Sequence, residues 1–172
     1  MSHIVLIGFM GAGKSTVGRL VARQLDRPFL DVDALVERSD GRSVHSIFAE
    51  DGEQRFRELE AVALEALLTT PPSVVACGGG VVLSDSNRAI LKRLGTVVYL
   101  RVTAAETLAR LSGDTTRPLL AGAGGAIAAT ELLGAREALY GAVADLVVDT
   151  VDRTPEEVAL EVVRLVEERS VT

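Results

Sequence analysis

Residues 8–16 read GFMGAGKST and follow the apolar run HIVLI at residues 3–7. From Gly8 to Ser15 the letters match G-x-x-x-x-G-K-S, the pattern of a phosphate-binding loop between a strand and a helix. The glycines let backbone N–H groups turn around phosphate oxygens, and the following helix adds its positive N-terminal end. In such loops the lysine, here Lys14, reaches the β- and γ-phosphates, and Ser15 ligates Mg²⁺. The stretch predicts a nucleotide site but does not identify the group that receives the phosphate.

Apolar runs and helical patterns alternate along the rest of the chain. The candidate strands are rich in Val, Leu and Ile without polar alternation, which is typical of strands buried on both faces; they lie at residues 3–8, 29–32, 74–77, 96–102 and 146–149. Between them apolar residues recur at helical spacing, for example at Phe56, Leu59, Val62, Ala63 and Leu67. The alternation predicts an α/β fold, a five-stranded parallel sheet flanked by helices on both faces, with ligands at the carboxyl ends of the strands.

The length and composition limit the partners. A chain of 172 residues is most simply one domain, residues 1–172. The formal net charge of -6 argues against nucleic acid, and no apolar run approaches the roughly 20 residues that span a bilayer. Cys77 is the only cysteine, which fits a reducing cytoplasm. We therefore expect small-molecule partners, neither nucleic acid nor membrane, and a monomer as the default.

The last helix begins with Thr154 and Pro155 followed by two glutamates, which predicts an N-cap and capping box.

Two carboxylates end the second strand. Asp31 and Asp33 are separated by one residue, so alternation along a strand places both on one face. One can hold Mg²⁺ through water, and the other can accept a proton from an attacking hydroxyl. The alternative is a solvated strand end followed by a helix N-cap.

Further charged and glycine-marked positions follow. Arg57 and Glu60 are three apart on a helix, either as a fixed clamp for a substrate carboxylate or as a surface ion pair. Residues 78–80, Gly78, Gly79 and Gly80, follow the third strand; they allow a ligand to approach the backbone or form a simple tight turn.

A glycine-rich segment interrupts the alternation at residues 112–129, SGDTTRPLLAGAGGAIAA. A segment of this kind predicts a lid that excludes water during transfer, or a plain insertion. Arg117 within it and Arg136 after it can stabilise a phosphoryl group or bind an anionic acceptor, although lone arginines are usually surface residues.

Together these motifs resemble those of the shikimate kinase family over almost the whole chain. The resemblance rests on GFMGAGKST at 8–16, DVD at 31–33, DGEQRFRELE at 51–60, GGG at 78–80, RPLLAG at 117–122 and AREALY at 135–140. It implies a P-loop fold like that of nucleoside monophosphate kinases, with a substrate-binding region at about 33–60 and a mobile lid at about 112–129. It also implies Mg²⁺-dependent transfer of the γ-phosphoryl group of ATP to the 3-hydroxyl of shikimate, giving shikimate 3-phosphate and ADP on the pathway to chorismate and aromatic amino acids.

The resemblance implies roles for individual residues as well. Catalysis falls to Lys14, Asp33 and Arg117, and the metal to Ser15 and to Asp31 through water. The implied ATP contacts are Gly11, Ala12, Gly13, Lys14, Ser15, Thr16, Arg110, Arg117, Arg153 and Pro155. The implied shikimate contacts are Asp33, Phe48, Phe56, Arg57, Gly78, Gly79, Gly80 and Arg136. The chain departs from the family pattern at residues 121–130, AGAGGAIAAT, where the family lid usually carries charged residues.

Two other functions share the phosphate-binding loop. Another small-molecule kinase, such as a gluconate kinase or a nucleoside monophosphate kinase, is the main alternative; a base-binding acceptor site calls for more aromatic or amide side chains near Asp33. A GTPase-like switch calls for an N-K-x-D motif that reads guanine, and the sequence has none.

Overall fold

The computed structural model describes residues 2–111 and 124–171, over which strands and helices alternate. The strands are β1 (His3–Ile7), β2 (Phe29–Asp31), β3 (Val74–Ala76), β4 (Gly95–Arg101) and β5 (Leu146–Asp149). The α-helices are α1 (Lys14–Gln24), α2 (Val32–Asp40), α3 (Val44–Leu67), α4 (Asp85–Leu94), α5 (Ala104–Leu111), α6 (Gly125–Val143) and α7 (Pro155–Val171). A 3₁₀ turn, Val81–Leu83, precedes α4, and α3 is interrupted at Gly52, where φ is 82°.

The strands form one parallel sheet in the order β2-β3-β1-β4-β5. Val5 of the central strand pairs with Val75 on one side and Val97 on the other. The predicted five-stranded parallel sheet is confirmed, and each predicted strand agrees with the observed one to within one residue at either end. Because β2, β3 and β1 are neighbours running in one direction, the segments after them meet at one edge of the sheet.

The buried interior explains why β1 is continuously apolar. All five of its residues are buried, since helices cover both faces of the sheet. His3 is the polar member, and its ring Nδ1 accepts the backbone N–H of Ser73 at 3.1 Å. Nε2 is therefore the donor to the carbonyl oxygen of Leu67 at 2.9 Å, so the ring joins β1 to the end of α3 and to the start of β3.

Helix α3 turns most of its predicted apolar positions to the core, together with one carboxylate. Phe56, Glu60, Leu64 and Leu67 are buried, and Leu59 and Ala63 pack partly buried against the core. Of the five apolar positions that recur at helical spacing, only Val62 faces solvent, with 65% of its surface exposed. The observed rotation buries a carboxylate, which is stable because Glu60 has hydrogen-bond donors inside the protein.

The last two helices give opposite outcomes. In α7 the predicted capping box is confirmed: Glu157 N donates to Thr154 Oγ1 at 3.2 Å, and Thr154 N donates to Glu157 Oε2 at 2.8 Å. The predicted lid segment, in contrast, overlaps α6. Residues 112–123 lie outside the described residues, but residues 125–129 are helical and Ala129 is buried. Here the alanines favour the helix that the glycines obscured in the sequence pattern.

Over residues 2–111 and 124–171, no helix combines the length and the apolar character that crossing a membrane requires.

Candidate active site

The phosphate-binding loop is the turn between β1 and α1. Gly11 and Gly13 have φ values of 78° and 87°, which favour glycine, and α1 begins immediately after them. Lys14 is the first residue of that helix, and its Nζ donates to the carbonyl oxygens of Gly8 at 2.7 Å and Phe9 at 2.9 Å. These bonds hold the ammonium group against the loop, at the end of α1 where a phosphate is favoured.

The two aspartates line a cleft of about 210 Å³ together with Lys14 and Ser15. Asp31 ends β2 and caps α2, because its Oδ1 accepts the backbone N–H of Ala34 at 3.3 Å. Its Oδ2 accepts the Ser15 hydroxyl at 3.0 Å. Asp33 lies in the first turn of α2 and not on the strand. The predicted strand alternation of the two carboxylates is therefore wrong; they reach one cleft because the chain turns from strand to helix between them.

Gly78 and Gly79 line this cleft, and Gly80 follows them directly. A methyl group on Gly78 would lie 3.0 Å from Oδ1 of Asp33, and one on Gly79 would lie 3.6 Å from Nη1 of Arg136. On Gly80 it would lie 2.0 Å from Nη2 of Arg57. Each glycine of the triplet thus lies against a different predicted site residue. The backbone after β3 is the point at which α2, α3 and α6 bring their charged side chains together.

Arg57 is fixed from one side by a buried carboxylate. Its Nη1 donates to both oxygens of Glu60, at 2.9 and 3.1 Å, and Glu60 has no exposed surface. Its Nη2 donates to Glu53 at 3.2 Å, and that carboxylate is 56% exposed. Asn87 of α4 completes the arrangement by donating to Oε1 of Glu60 at 3.0 Å. The alternative of a surface ion pair is therefore wrong for Arg57 and Glu60.

Arg136 of α6 is 9% exposed, and its guanidinium lies 5.9 Å from the centre of the Phe9 ring. One turn further along α6, the hydroxyl of Tyr140 donates to the carbonyl oxygen of Gly79. Burial raises the pKa of Tyr140 to about 12, so the hydroxyl stays protonated and remains a donor. Tyr140 therefore fixes the backbone beside which Arg136 lies.

The two predicted aromatic residues have unequal exposure. Their rings lie 4.8 Å apart, centre to centre, with Phe56 3% exposed and Phe48 37% exposed. Phe56 packs in a small second core with Val36 and Ile47. Phe48 therefore presents the larger exposed aromatic surface, and the guanidinium of Arg57 lies 5.1 Å from the centre of the adjoining Phe56 ring.

A second cavity, of about 390 Å³, adjoins the loop on the side of α5. Most of the predicted ATP contacts line it: Gly11, Ala12, Gly13, Thr16, Arg110, Arg153 and Pro155. Arg110 is held there by four acceptors, the carbonyl oxygens of Gly11 and Thr150, the hydroxyl of Thr150 and the carboxylate of Glu106, at 2.8 to 3.1 Å. A base placed in this cavity would lie next to the loop that holds its phosphates.

The structure thus brings the predicted site residues to one edge of the sheet, except Arg117, which lies outside the described residues. Four residues that were not predicted from the sequence as site residues contact the predicted ones or one another: Glu60, Asn87, Tyr140 and Thr150. Of these four residues, only Glu60 could have been predicted to be buried from the sequence. It lies four residues after Phe56 and four residues before Leu64, so all three lie on the same face of the helix.

Burial raises the pKa of two groups near the cleft, Glu60 and Cys77. Burial raises the pKa of Glu60, against the opposing effects of Arg57 and Asn87, and nearby Asp33 raises it further. Burial also raises the pKa of the Cys77 thiol well above its ordinary value. Cys77 is therefore a protonated, buried side chain in the wall of the cleft and not a nucleophile.

Comparisons with known proteins agree on one family. The shikimate kinase family model matches residues 10–167. A shikimate kinase from Geobacter sulfurreducens is 46% identical over 166 residues, covering 96% of this chain and 91% of the relative. One from Thermodesulfovibrio yellowstonii is 42% identical over 164 residues, covering 95% and 94% respectively.

Solved structures give the same result for the fold. The structure of a shikimate kinase from Acinetobacter baumannii in complex with shikimate superimposes with a TM-score of 0.94 at 37% identity, covering 100% of this chain and 96% of the other. A gluconokinase from Sinorhizobium meliloti has a TM-score of 0.60 at 21% identity, covering 99% and 96%. The second likeness concerns the fold alone.

Proposed function

The chain belongs to the shikimate kinase family and phosphorylates shikimate with ATP; we propose that it does so in the cleft at the carboxyl edge of the sheet, transferring the γ-phosphoryl group to the 3-hydroxyl. The phosphate-binding loop and Asp33 line this cleft, and Arg57 and Arg136 lie against the glycine triplet that follows β3 beside it. A donor half and an acceptor half therefore share one wall.

The glycine triplet carries this proposal. Residues Gly78, Gly79 and Gly80 each lie against one acceptor-side residue, and any side chain on the triplet would compete with those residues for space. The wall is thus open where a small acceptor has to enter between a carboxylate and two guanidinium groups. An acceptor with one carboxylate and several hydroxyls, such as shikimate, matches these charges.

We assign the substrate carboxylate to Arg57 and Arg136. On Arg57 the buried partner Glu60 occupies Nη1, while Nη2 makes an ion pair with the exposed Glu53. An exposed pair contributes little, so a substrate carboxylate can replace Glu53 at small cost. The bidentate geometry of a guanidinium then fixes the orientation of the acid as well as its position.

The reacting hydroxyl is assigned to Asp33, which faces the cleft from α2. Its carboxylate accepts a hydrogen bond from the 3-hydroxyl and takes the proton as the oxygen attacks the phosphorus. Lys14 and the loop amides hold the β- and γ-phosphates in line with that oxygen. In this assignment Asp33 acts on the acceptor and Lys14 on the donor.

Ser15 and Asp31 are the residues that fit a Mg²⁺ ion. They offer a hydroxyl and a carboxylate oxygen 3.0 Å apart, and oxygen atoms are the donors that Mg²⁺ prefers. When bound, the ion neutralises charge on the phosphates. Asp31 is already held by its cap to α2, so its second oxygen stays directed at the phosphate side.

Three further assignments complete the proposal. Arg117 contacts the phosphoryl groups from the segment at 112–129, as its RPLLAG motif suggests. The enzyme is cytoplasmic, which its single buried cysteine supports. The enzyme acts as a monomer. Size-exclusion chromatography with light scattering tests this by measuring the molar mass in solution.

An ADP-release assay on the purified protein tests the function. We expect release with shikimate but not with gluconate or AMP, and loss of activity in EDTA that added Mg²⁺ restores. Equal rates with gluconate or AMP contradict the assignment of the acceptor. NMR of the product distinguishes transfer to the 3-hydroxyl from transfer to another hydroxyl.

A further inference from the structure

The carboxylate clamp has a support behind it that makes no contact with the cleft. Glu60 has no exposed surface, and both of its oxygens accept hydrogen bonds from Nη1 of Arg57. Asn87 also has no exposed surface, and its Nδ2 donates to Oε1 of Glu60 at 3.0 Å. One buried carboxylate thus joins α3 to α4 directly behind Arg57.

Local structure does not account for the direction of the Asn87 side chain. Asn87 lies in the first turn of α4, where asparagine often turns back to bond the backbone. Here Ser84 performs the capping, with its Oγ accepting the backbone N–H of Asn87 at 3.4 Å. The side-chain amide of Asn87 therefore does not cap the helix, and it points inward to Glu60.

The carboxylate needs this donor because its surroundings oppose its charge. Burial and the neighbouring Asp33 of α2 favour the protonated form, while Arg57 and Asn87 favour the ionised form. The Cys77 thiol after β3 is a further neighbour, and it is neutral. Among the donors to Glu60, Asn87 carries no charge and does not titrate, so it supports the carboxylate whether or not substrate occupies Arg57.

We propose that Asn87 is a positioning residue for acceptor binding: its amide fixes the carboxylate of Glu60, which in turn fixes Arg57 in the orientation that binds the substrate carboxylate. The proposal rests on the proposed role of Arg57. Asn87 touches neither substrate, so its effect falls on the acceptor KM and not on the chemical step.

The first test is Asn87→Leu, which keeps the approximate volume and removes the donor. We expect the shikimate KM to rise about tenfold, because the substitution removes one hydrogen bond to a charged group. The values of kcat and of the ATP KM stay within about twofold, the signature of lost ground-state binding. The exposed Lys92→Ala on the same helix is the matched control and leaves all three constants unchanged.

The second variant, Asn87→Asp, tests whether Asn87 acts as a hydrogen-bond donor or only fills space. The introduced carboxyl has nearly the same shape as the amide, but it donates to Glu60 only when it holds a proton. Its shikimate KM is therefore close to that of wild type at about pH 6 and rises towards about pH 8. Asn87→Leu shows the opposite trend, because Glu60 protonates more easily without its amide donor.

A double-mutant cycle tests the route through Arg57. When Asn87→Leu is added to Arg57→Ala, we expect no further change in the shikimate KM, since the residue through which Asn87 acts is already gone. Multiplying effects overturn the proposal, as do wild-type KM values in both Asn87 variants or a pH-independent Asn87→Asp. Wild-type protein that fails to phosphorylate shikimate overturns the proposed function and the inference together, whereas normal wild-type turnover with unaffected variants overturns the inference alone.

Discussion

Removing Arg57 leaves the buried carboxylate of Glu60 without its cation, and the resulting loss of unfolding free energy depends on pH. In Arg57→Ala, Glu60 keeps Asn87 as a donor but loses the cation that contacts both of its oxygens. Breaking a buried ion pair from one side costs about 3–5 kcal/mol. The side chain of Arg57 is 17% exposed and Glu60 can escape its charge by taking a proton, so we expect about 3 kcal/mol of lost unfolding free energy near pH 8.

The sign of the pH dependence follows from the direction of the pKa of Glu60. Burial raises that pKa above the unfolded value of 4.5, so between the two values the native state binds more protons than the unfolded state. The contribution of Glu60 protonation to the free energy of unfolding is complete below the unfolded pKa. It is lost as the pH rises through the folded pKa. Without Arg57 the folded pKa lies higher still, so the loss is larger and extends to higher pH. The variant should therefore approach wild-type stability in acid, with a deficit of about 1 kcal/mol near pH 5.

Urea unfolding followed by circular dichroism at about pH 5 and about pH 8 measures both deficits. Arg55→Ala is the matched control, because Arg55 makes an exposed pair with Glu58 that contributes little at either pH. Adding Glu60→Gln to Arg57→Ala removes the stranded charge and should recover most of the loss near pH 8. An equal deficit at both pH values, or a double variant no more stable than Arg57→Ala, refutes the reasoning.

Three further predictions concern separate parts of the molecule. Asp33→Asn should lower kcat by about 10²–10⁴-fold with the ATP dissociation constant unchanged in calorimetry; near-normal turnover removes Asp33 as the base. Tyr140→Phe should cost about 1 kcal/mol in urea unfolding and raise the shikimate KM a few-fold, because it frees the carbonyl oxygen beside Arg136; an unchanged KM contradicts a role in the acceptor site. His3→Ala should cost about 1–3 kcal/mol with kcat unchanged, since the buried N–H of Ser73 loses its acceptor and the carbonyl oxygen of Leu67 loses one of its donors; a stability equal to wild type contradicts this explanation.

The parts of the fold that the sequence predicts are those set by neighbouring residues. Strands buried on both faces read as unbroken aliphatic runs, so each was located to within one residue. The phosphate-binding loop and the capping box at Thr154 are short motifs whose partners lie within a few positions. In these cases local chemistry decides the conformation, and little remains for tertiary contacts to change.

Prediction was wrong where a residue had two local options. Asp31 and Asp33 fit strand alternation in the sequence, but Asp31 is a helix N-cap, which the sequence allowed as the alternative, and α2 begins at Val32 directly after it. In helix α3 the apolar spacing located the buried face except at Val62, but it did not show what satisfies the buried carboxylate of Glu60. The neutral donor to that carboxylate, Asn87, is 27 residues away in the chain and cannot be paired with Glu60 by periodicity.

The selection of site arginines shows why weak local signals become strong in the fold. The chain has many arginines, and several in the described residues make exposed ion pairs like that of Arg164 with Glu168. Arg57 and Arg136 differ because each lies against a glycine of the triplet after β3, where no side chain separates guanidinium from backbone. A parallel sheet puts this triplet beside the phosphate-binding loop, since β3 and β1 are adjacent. In the proposed site, the strand order therefore brings the acceptor charges next to the phosphate-binding loop, and proximity to the glycines distinguishes the two arginines to which we assign the substrate carboxylate.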